Sequence, residues 1–312
     1  MYVLFAPDRG AVRAQSTLFE RHMEPLLRQL EEVGRRGGLP ADLPELPQYL
    51  RVCRWPFRKL EYSFALDILL NHLTPGSRFL DAGSGVTPFA HVFAARGVRA
   101  EACDGDSRLI ARLRAFRPET VYGSAVAYAA QDLTLTSYPD ATFDAISCIS
   151  VLEHIPAPHD QRAIRELLRI LKPGGVLVLT VDFSPAVAVK PVGALHHHLG
   201  RLADLARRGD LREIGRGVAR KVRARRAIAA GVARVPRSAN QCFERAHLEQ
   251  DILPLLAGRE IQSQLACVAD ARAVTPGDSR RFWELEPGLF RNQGGRSVLP
   301  AAYAVQKATT SS

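Results

Sequence analysis

Near the first third of the chain, Arg78-Phe-Leu-Asp81-Ala-Gly83-Ser-Gly85-Val-Thr87-Pro88 leads a strand-like run through two glycines into a helix-like one. Gly83 and Gly85 permit positive φ and remove Cβ atoms, so backbone can approach a ligand closely at the strand's carboxyl end. Thr87 suits an N-cap and Pro88 the first helical position. Asp104 ends the next apolar run 21 residues after Gly83, the spacing of a carboxylate that accepts hydrogen bonds from ribose hydroxyls. Such a turn serves NAD, FAD and S-adenosylmethionine alike, and it also serves as a plain tight turn. Two residues weigh against a dinucleotide. Pro88 stands where a third glycine is required and cannot donate an N–H to pyrophosphate, and Asp81 would repel phosphate while suiting an ammonium. Further on, Glu153-His154 follows another apolar run, and His154 has the ordinary pKa of a general base for a hydroxyl or amine. An orienting or purely structural His154 is equally consistent with the sequence.

These residues need a sheet to hold them. Short apolar runs at 78–82, 99–103, 126–130, 143–149 and 176–181 alternate with helical patterns at 88–96, 108–116 and 161–171, the signature of a mainly parallel sheet covered on both faces. Ahead of them, apolar residues at helical spacing over 11–35 and 60–73 predict helices, separated by a proline-rich connector at 39–47 that opposes regular structure. The alternation stops after Asp182 and resumes near Ala246 with a helix at 246–256 and strands at 260–268 and 301–306. The expectation is an α/β fold, a Rossmann-like, seven-stranded, mainly parallel sheet flanked by helices. A helical extension at 1–59 precedes the core at 60–182, a basic helical insertion or lid follows strand five at 183–245, the sheet is completed at 246–307, and a tail closes the chain at 308–312.

Taken in order, Asp81-x-Gly83-x-Gly85, Asp104, Gln131-Asp132-Leu133, the Phe143 to Ile155 run with Leu152-Glu153-His154, and Leu171-Lys-Pro-Gly-Gly175 resemble the successive motifs of class I S-adenosylmethionine-dependent methyltransferases, especially the broad small-molecule group. The resemblance covers residues 60 to 182. It implies that Asp81, Gly83 and Gly85 surround the methionine part of S-adenosyl-L-methionine, that Asp104 holds the ribose, that Asp132 and the Leu133 amide meet adenine, and that Ile149 lines the cofactor through its backbone. Gly105 replaces the bulky residue that often covers one adenine face in this family. The Trp55 to Tyr62 segment resembles the family's entry segment, which puts Tyr62 near the carboxylate end of the cofactor, although core packing would also explain it. The implied activity is methyl transfer to an oxygen or nitrogen of a small molecule. Two other readings remain: an RNA or lipid-surface methyltransferase, and a scaffold or regulatory protein that binds the cofactor without methylating anything.

The chain's 312 residues carry a formal charge of +10, and its location matters more than its size. Between Lys190 and Arg245 stand 14 basic and 4 acidic residues, leaving 28 of each elsewhere. Leucines, isoleucine and valines at helical spacing from Leu195 to Val222 predict two amphipathic helices with arginine-rich faces. A solvated lid, an anionic substrate and an acidic membrane headgroup all fit that face, whereas nucleic acid lacks a recognition motif. His196-His197-His198 diverge by about 100° each on a helix and cannot converge on one ion, so no metal is expected. One of these histidines, or His247, could still serve a substrate pocket. The five cysteines form no CxxC pair and read as reduced, buried thiols. No apolar run reaches the roughly 20 residues of a membrane span, and charge interrupts the N-terminus early, so a cytoplasmic location is the expectation.

Overall fold

The computed structural model describes residues 2–4, 8–184, 243–244, 247–256, 258–263, 268–270 and 299–309. The two helices expected between 195 and 222, the three adjacent histidines and most of the 183–245 insertion lie outside the described residues.

The central sheet is built from β2 (Arg78–Ala82), β3 (Arg99–Asp104), β4 (Ala127–Ala130), β5 (Phe143–Ile149) and β6 (Leu171–Ser184), all parallel, in the order β4-β3-β2-β5-β6. After β2 the chain builds outward through β3 to β4, then returns to place β5 and β6 on the other side. The order reverses between β2 and β5, and it is there, beyond the carboxyl ends, that an open sheet leaves a crevice for a ligand. The antiparallel β10 (Leu299–Gln306) pairs along β6, and β8 (Arg259–Glu260) pairs with the end of β10. These seven strands form the expected Rossmann-like sheet. Three short strands extend it: β1 (Tyr2–Leu4) pairs with β10, β9 (Val268–Asp270) pairs with β1, and β7 (Phe243–Glu244) pairs with β6.

The N-terminal segment therefore supplies a sheet strand as well as helices. The helix expected over 11–35 is three: α1 (Arg9–Gln15), α2 (Thr17–His22) and α3 (Glu24–Arg35). Pro25 enforces the second break, because it has no N–H and its ring clashes with the carbonyl four residues back. At the first break the Ser16 hydroxyl donates to the Val12 carbonyl at 2.6 Å. The connector is less irregular than its prolines suggest. α4 (Glu45–Val52) begins just after Pro44, and Pro47 sits in its first turn, where a missing N–H costs nothing. α5 (Pro56–His72) starts with proline at its first position and buries residues on every side, since it lies between α2 and strands β5, β6 and β10.

α6 (Phe89–Ala94), α7 (Ser107–Phe116), α8 (Glu119–Tyr122) and α9 (His159–Ile170) complete the helices. Phe79, Phe89 and Phe93 meet with ring centroids 4.6 to 6.1 Å apart and tie β2 to α6 directly below the glycine turn. On β6 the pairing jumps from Phe143↔Leu171 to Ala145↔Val176, so Lys172 to Gly175 bulge from the strand, with Gly174 at φ 77°. The helix expected at 246–256 is a π turn at Leu248–Ile252 followed by a 3-10 turn at Leu253–Leu255, with Pro254 opposing a continuous α-helix. In place of one strand over 260–268 there are the separate β8 and β9.

Candidate functional site

The glycine turn closes against β3. The amides of Gly83 and Ser84 both donate to the Cys103 carbonyl, at 2.8 and 2.9 Å. Gly83 has φ 73°, and a Cβ there would lie 2.5 Å from Val151 Cγ2, so any side chain is strained and forces Val151 or the turn to shift. Gly85, at φ 53°, donates its amide to Asp104 Oδ2 at 3.0 Å, while the Asp106 amide donates to Asp104 Oδ1 at 2.9 Å. Asp104 is thereby oriented at the carboxyl end of β3, with carboxylate lone pairs left over to accept further bonds. The Asp106 carboxylate instead caps α7, accepting from the amides of Arg108 and Leu109.

Asp81 is buried beneath the turn. Its Oδ1 accepts a 2.8 Å bond from Ser147 Oγ on the neighbouring β5, and its Oδ2 is sealed from solvent with no partner among the described residues. Burial raises this carboxyl to about 7, against the Ser147 bond and with the nearby Asp104 charge adding to the rise. An orphaned acceptor next to backbone that strains any residue but glycine is a site that gains from a cationic donor such as an α-ammonium.

Tyr62, on α5, is buried, with its ring 5.2 Å from that of Phe89. Its hydroxyl is 2.9 Å from Tyr49 Oη, which donates to Thr87 Oγ1 at 3.0 Å, and Thr87 in turn accepts from the Phe89 amide. Burial pushes the Tyr62 phenol up to about 12, so it remains a neutral hydroxyl. On the opposite flank, Asp132 is exposed and its Oδ1 accepts from both the amide and the hydroxyl of Thr134 at 2.8 Å, bonds that hold its pKa below the usual value. Leu133 is buried beside it, and Gly105 is exposed, with only the Gln131 carbonyl within 3.9 Å of where a Cβ would stand. Ile149 is half-buried at the end of β5.

His154 ends a 3-10 turn, Leu152–His154, and is exposed. Partial burial of its ring and the nearby Arg58 cation lower its pKa, and no hydrogen bond holds its ring among the described residues. The preceding Glu153 is fully buried. His247 is also buried, and its two ring nitrogens lie 2.6 Å from Asp160 Oδ2 and 2.8 Å from Asp251 Oδ2, an arrangement that occupies both nitrogens.

The described contacts thus join Gly83, Gly85, Asp81, Asp104 and Gly105 at the adjacent carboxyl ends of β2 and β3 and link Tyr62 to the same turn through Thr87. Tyr49, Arg58, Glu61, Ser147 and Asp182 also carry polar atoms beside the site, and sequence reasoning misses them. The available signal is a polar residue inside an otherwise apolar run, as with Glu61 in α5 and Ser147 in β5. A cavity of about 630 Å³ lined by Val12, Arg13, Thr17, Arg54, Pro56 and Lys59 contains none of these residues. Among the described residues, no three or more His, Cys, Asp or Glu side chains are arranged so that they could hold a metal ion.

Residues 80–179, which span the glycine turn and the strands around it, match the family model described as a methyltransferase domain. This region is thus similar to methyltransferase domains, in keeping with the motif resemblance to the class I S-adenosylmethionine-dependent family. Its glycine turn, orphaned carboxylate and oriented Asp104 fit S-adenosylmethionine, the cofactor of such domains. The domain is similar to curated proteins named ubiquinone biosynthesis O-methyltransferase. That of Xanthomonas campestris pv. campestris is 35% identical over 125 residues, 38% of this chain and 50% of the relative. That of Xanthomonas axonopodis pv. citri is 35% identical over 133 residues, 41% of this chain and 54% of the relative. The chain spans about half the length of the curated relatives it matches. Among solved structures, a SAM-dependent methyltransferase from Methanosarcina mazei is 26% identical, with 38% of this chain and 57% of that chain covered and a TM-score of 0.33. No described helix is long and apolar enough to cross a membrane.

Proposed function

We propose that the chain transfers the methyl group of S-adenosylmethionine to an oxygen or nitrogen of a small molecule. The observation that carries the reading is the Oδ2 of Asp81, sealed and without a partner among the described residues, directly beneath a turn where a Cβ on Gly83 would be strained against Val151. A pyrophosphate would meet a negative charge there, and a methionyl ammonium would meet an acceptor. In this reading Asp81, Gly83 and Gly85 hold the methionyl end, Asp104 accepts from the ribose hydroxyls, Asp132 and Leu133 meet adenine, Gly105 leaves the ring edge open, and Ile149 offers backbone. Tyr62 packs over the methionyl end with its hydroxyl fixed by Tyr49 and Thr87. The name of the relatives favours an oxygen acceptor.

The bound cofactor supplies a methyl group already activated by the adjacent sulfonium. The protein's part is therefore to align the acceptor, exclude water and remove a proton where the acceptor arrives protonated. His154 is the proton acceptor that the motif offers, and an imidazole with a lowered pKa is neutral at working pH.

The cofactor assignment is tested by calorimetric titration of Asp104→Ala with S-adenosylmethionine. Losing a charged acceptor for two hydroxyls costs about 1.5 to 3 kcal/mol, an affinity loss of roughly 10- to 150-fold. Unchanged binding would place the ribose elsewhere. Formation of S-adenosylhomocysteine that depends on an added acceptor separates an enzyme from a non-catalytic binder.

A further inference from the structure

Three carboxylates and one guanidinium meet where α5 crosses the carboxyl ends of β5 and β6. Glu61, fully buried, is well supplied: Arg58 Nη1 donates to its Oε2 at 2.8 Å, and Ser150 Oγ and Thr180 Oγ1 donate to its Oε1 at 2.7 and 2.8 Å. That pairing uses the one cation of the group. Glu153, also fully buried, accepts from the Asp182 amide through its Oε1 at 3.1 Å, and among the described residues its Oε2 has no partner. Asp182 stands two residues beyond Thr180, on the same face of β6, and is half-buried. No hydrogen bond reaches its carboxylate among the described residues.

One guanidinium cannot neutralise three carboxylates, so ionising Glu153 and Asp182 together is costly. The charges follow that logic. Burial drives Glu153 well above the usual carboxylate range, with Asp182 adding to the rise. Burial raises Asp182 to about 6, against the pull of Arg58 and with Glu61 pushing it further up.

We propose that Asp182 takes the proton of the acceptor's hydroxyl or amine, with Glu153 as the buried partner that holds it in position and shares its proton. The proposal rests on the methyl-transfer reading and gives the proton step to a different residue from His154. The acceptor lone pair forms the new bond to the methyl carbon, the carbon–sulfur bond breaks with its electrons left on sulfur, and the acceptor's proton moves to the Asp182 carboxylate, which later releases it to water. Three features favour Asp182. It lies at a strand's carboxyl end, where ligands of open sheets bind. Its backbone is pinned by Glu153 and, two residues earlier, by the Thr180 bond to Glu61. His154, by contrast, is exposed, whereas Asp182 is half-buried beside the fully buried Glu153.

Two measurements on the full chain decide the matter. The first is a carboxyl ¹³C titration of the unmutated protein bound to S-adenosylhomocysteine, with signals assigned through Asp182→Asn and Glu153→Gln. The expected result is a step near 6 for Asp182 that moves when Glu153 is replaced. A carboxyl that titrates in the ordinary aspartate range and ignores Glu153 overturns the proposal without any substrate. The second is the pH dependence of methyl transfer to catechol and to the more acidic 4-nitrocatechol. Asp182→Asn is expected to lower kcat on catechol by about 100-fold or more, to lose much less on 4-nitrocatechol, and to remove the acidic limb, whereas His154→Asn keeps that limb. Loss of the limb in His154→Asn with its retention in Asp182→Asn gives the role to His154 and overturns the proposal. If the unmutated chain methylates neither probe, the phenolic-oxygen acceptor falls while the titration still decides the pair.

Discussion

Asp81 holds a carboxylate oxygen that no described residue satisfies, and its carboxyl is raised to about 7 chiefly by burial. The folded, ligand-free chain therefore holds a proton that the unfolded chain, near the ordinary 3.8, has lost, so stability from this group declines as pH rises between those values. A cationic ligand reverses the preference, because it favours the ionised form. Affinity for S-adenosylmethionine is accordingly expected to increase as pH rises through about 7 and to level off above it, with a proton released on binding below that point. Calorimetry in buffers of different ionisation enthalpy reads the released proton. In Asp81→Asn the pH dependence should disappear along with much of the affinity, and a variant that kept the same slope would remove Asp81 from the site. At this scale the sequence picks out Asp81, Gly83, Gly85 and Asp104 as candidates because glycine conformation and a carboxylate at a strand end are local properties. It does not reveal Glu61 or Asp182, because a carboxylate becomes chemically unusual only through the neighbours that the topology brings to it, here Ser150, Thr180 and Glu153.

Among the elements, the strands that carry the site are readable almost to the residue. β2 and β5 begin and end where the apolar runs at 78–82 and 143–149 do. The helices are harder, because apolar spacing continues straight through an interruption: Pro25 divides α2 from α3 while the pattern runs on, and α4 forms despite its prolines because they fall at its start. The turn after β2 makes a sharper prediction. Gly83→Ala forces a side chain into φ 73° and drives its Cβ to 2.5 Å from Val151 Cγ2 and 2.6 Å from Cγ1. The left-handed conformation costs about 1 kcal/mol or more and the overlap adds to it, so unfolding measurements should show a loss of roughly 2 to 4 kcal/mol. Val151→Ala in the same chain removes both methyl groups and leaves the φ strain. The pair should therefore be less destabilised than the two single variants combined, a coupling that a double-mutant cycle resolves. Strict additivity would mean that the turn shifts away from Val151 and that the close fit is not what demands glycine.

For the whole molecule, connections between distant segments decide what sequence patterns leave open. The excess positive charge lies in 190–245, a stretch with an amphipathic pattern in sequence, and just after β7 the chain comes to α9 through His247. That histidine is buried between Asp160 of α9 and Asp251 of its own segment, 2.6 and 2.8 Å away, and ionised carboxylates accept from both ring nitrogens only when the ring is an imidazolium. Burial pulls its pKa down, but the bonds to Asp160 and Asp251 and their charges raise it above the ordinary 6.5. A histidine with a raised folded pKa contributes its full stability below the unfolded value and loses it as pH climbs through the folded one. The stability gap between the native chain and His247→Gln should thus be widest at mildly acidic pH, about 3 kcal/mol for breaking a buried ion pair, and should shrink steadily on the alkaline side. Thermal unfolding at a series of pH values measures it, with Asp160→Asn as the companion variant. Because Asp160 also opens α9, the same loss should reach the segment at 248–256 first, visible as earlier hydrogen exchange there than in β5. A gap that stays constant with pH would show that His247 is held neutral and that packing of Leu248, Ile252 and Leu256, rather than charge, keeps the returning chain on the core.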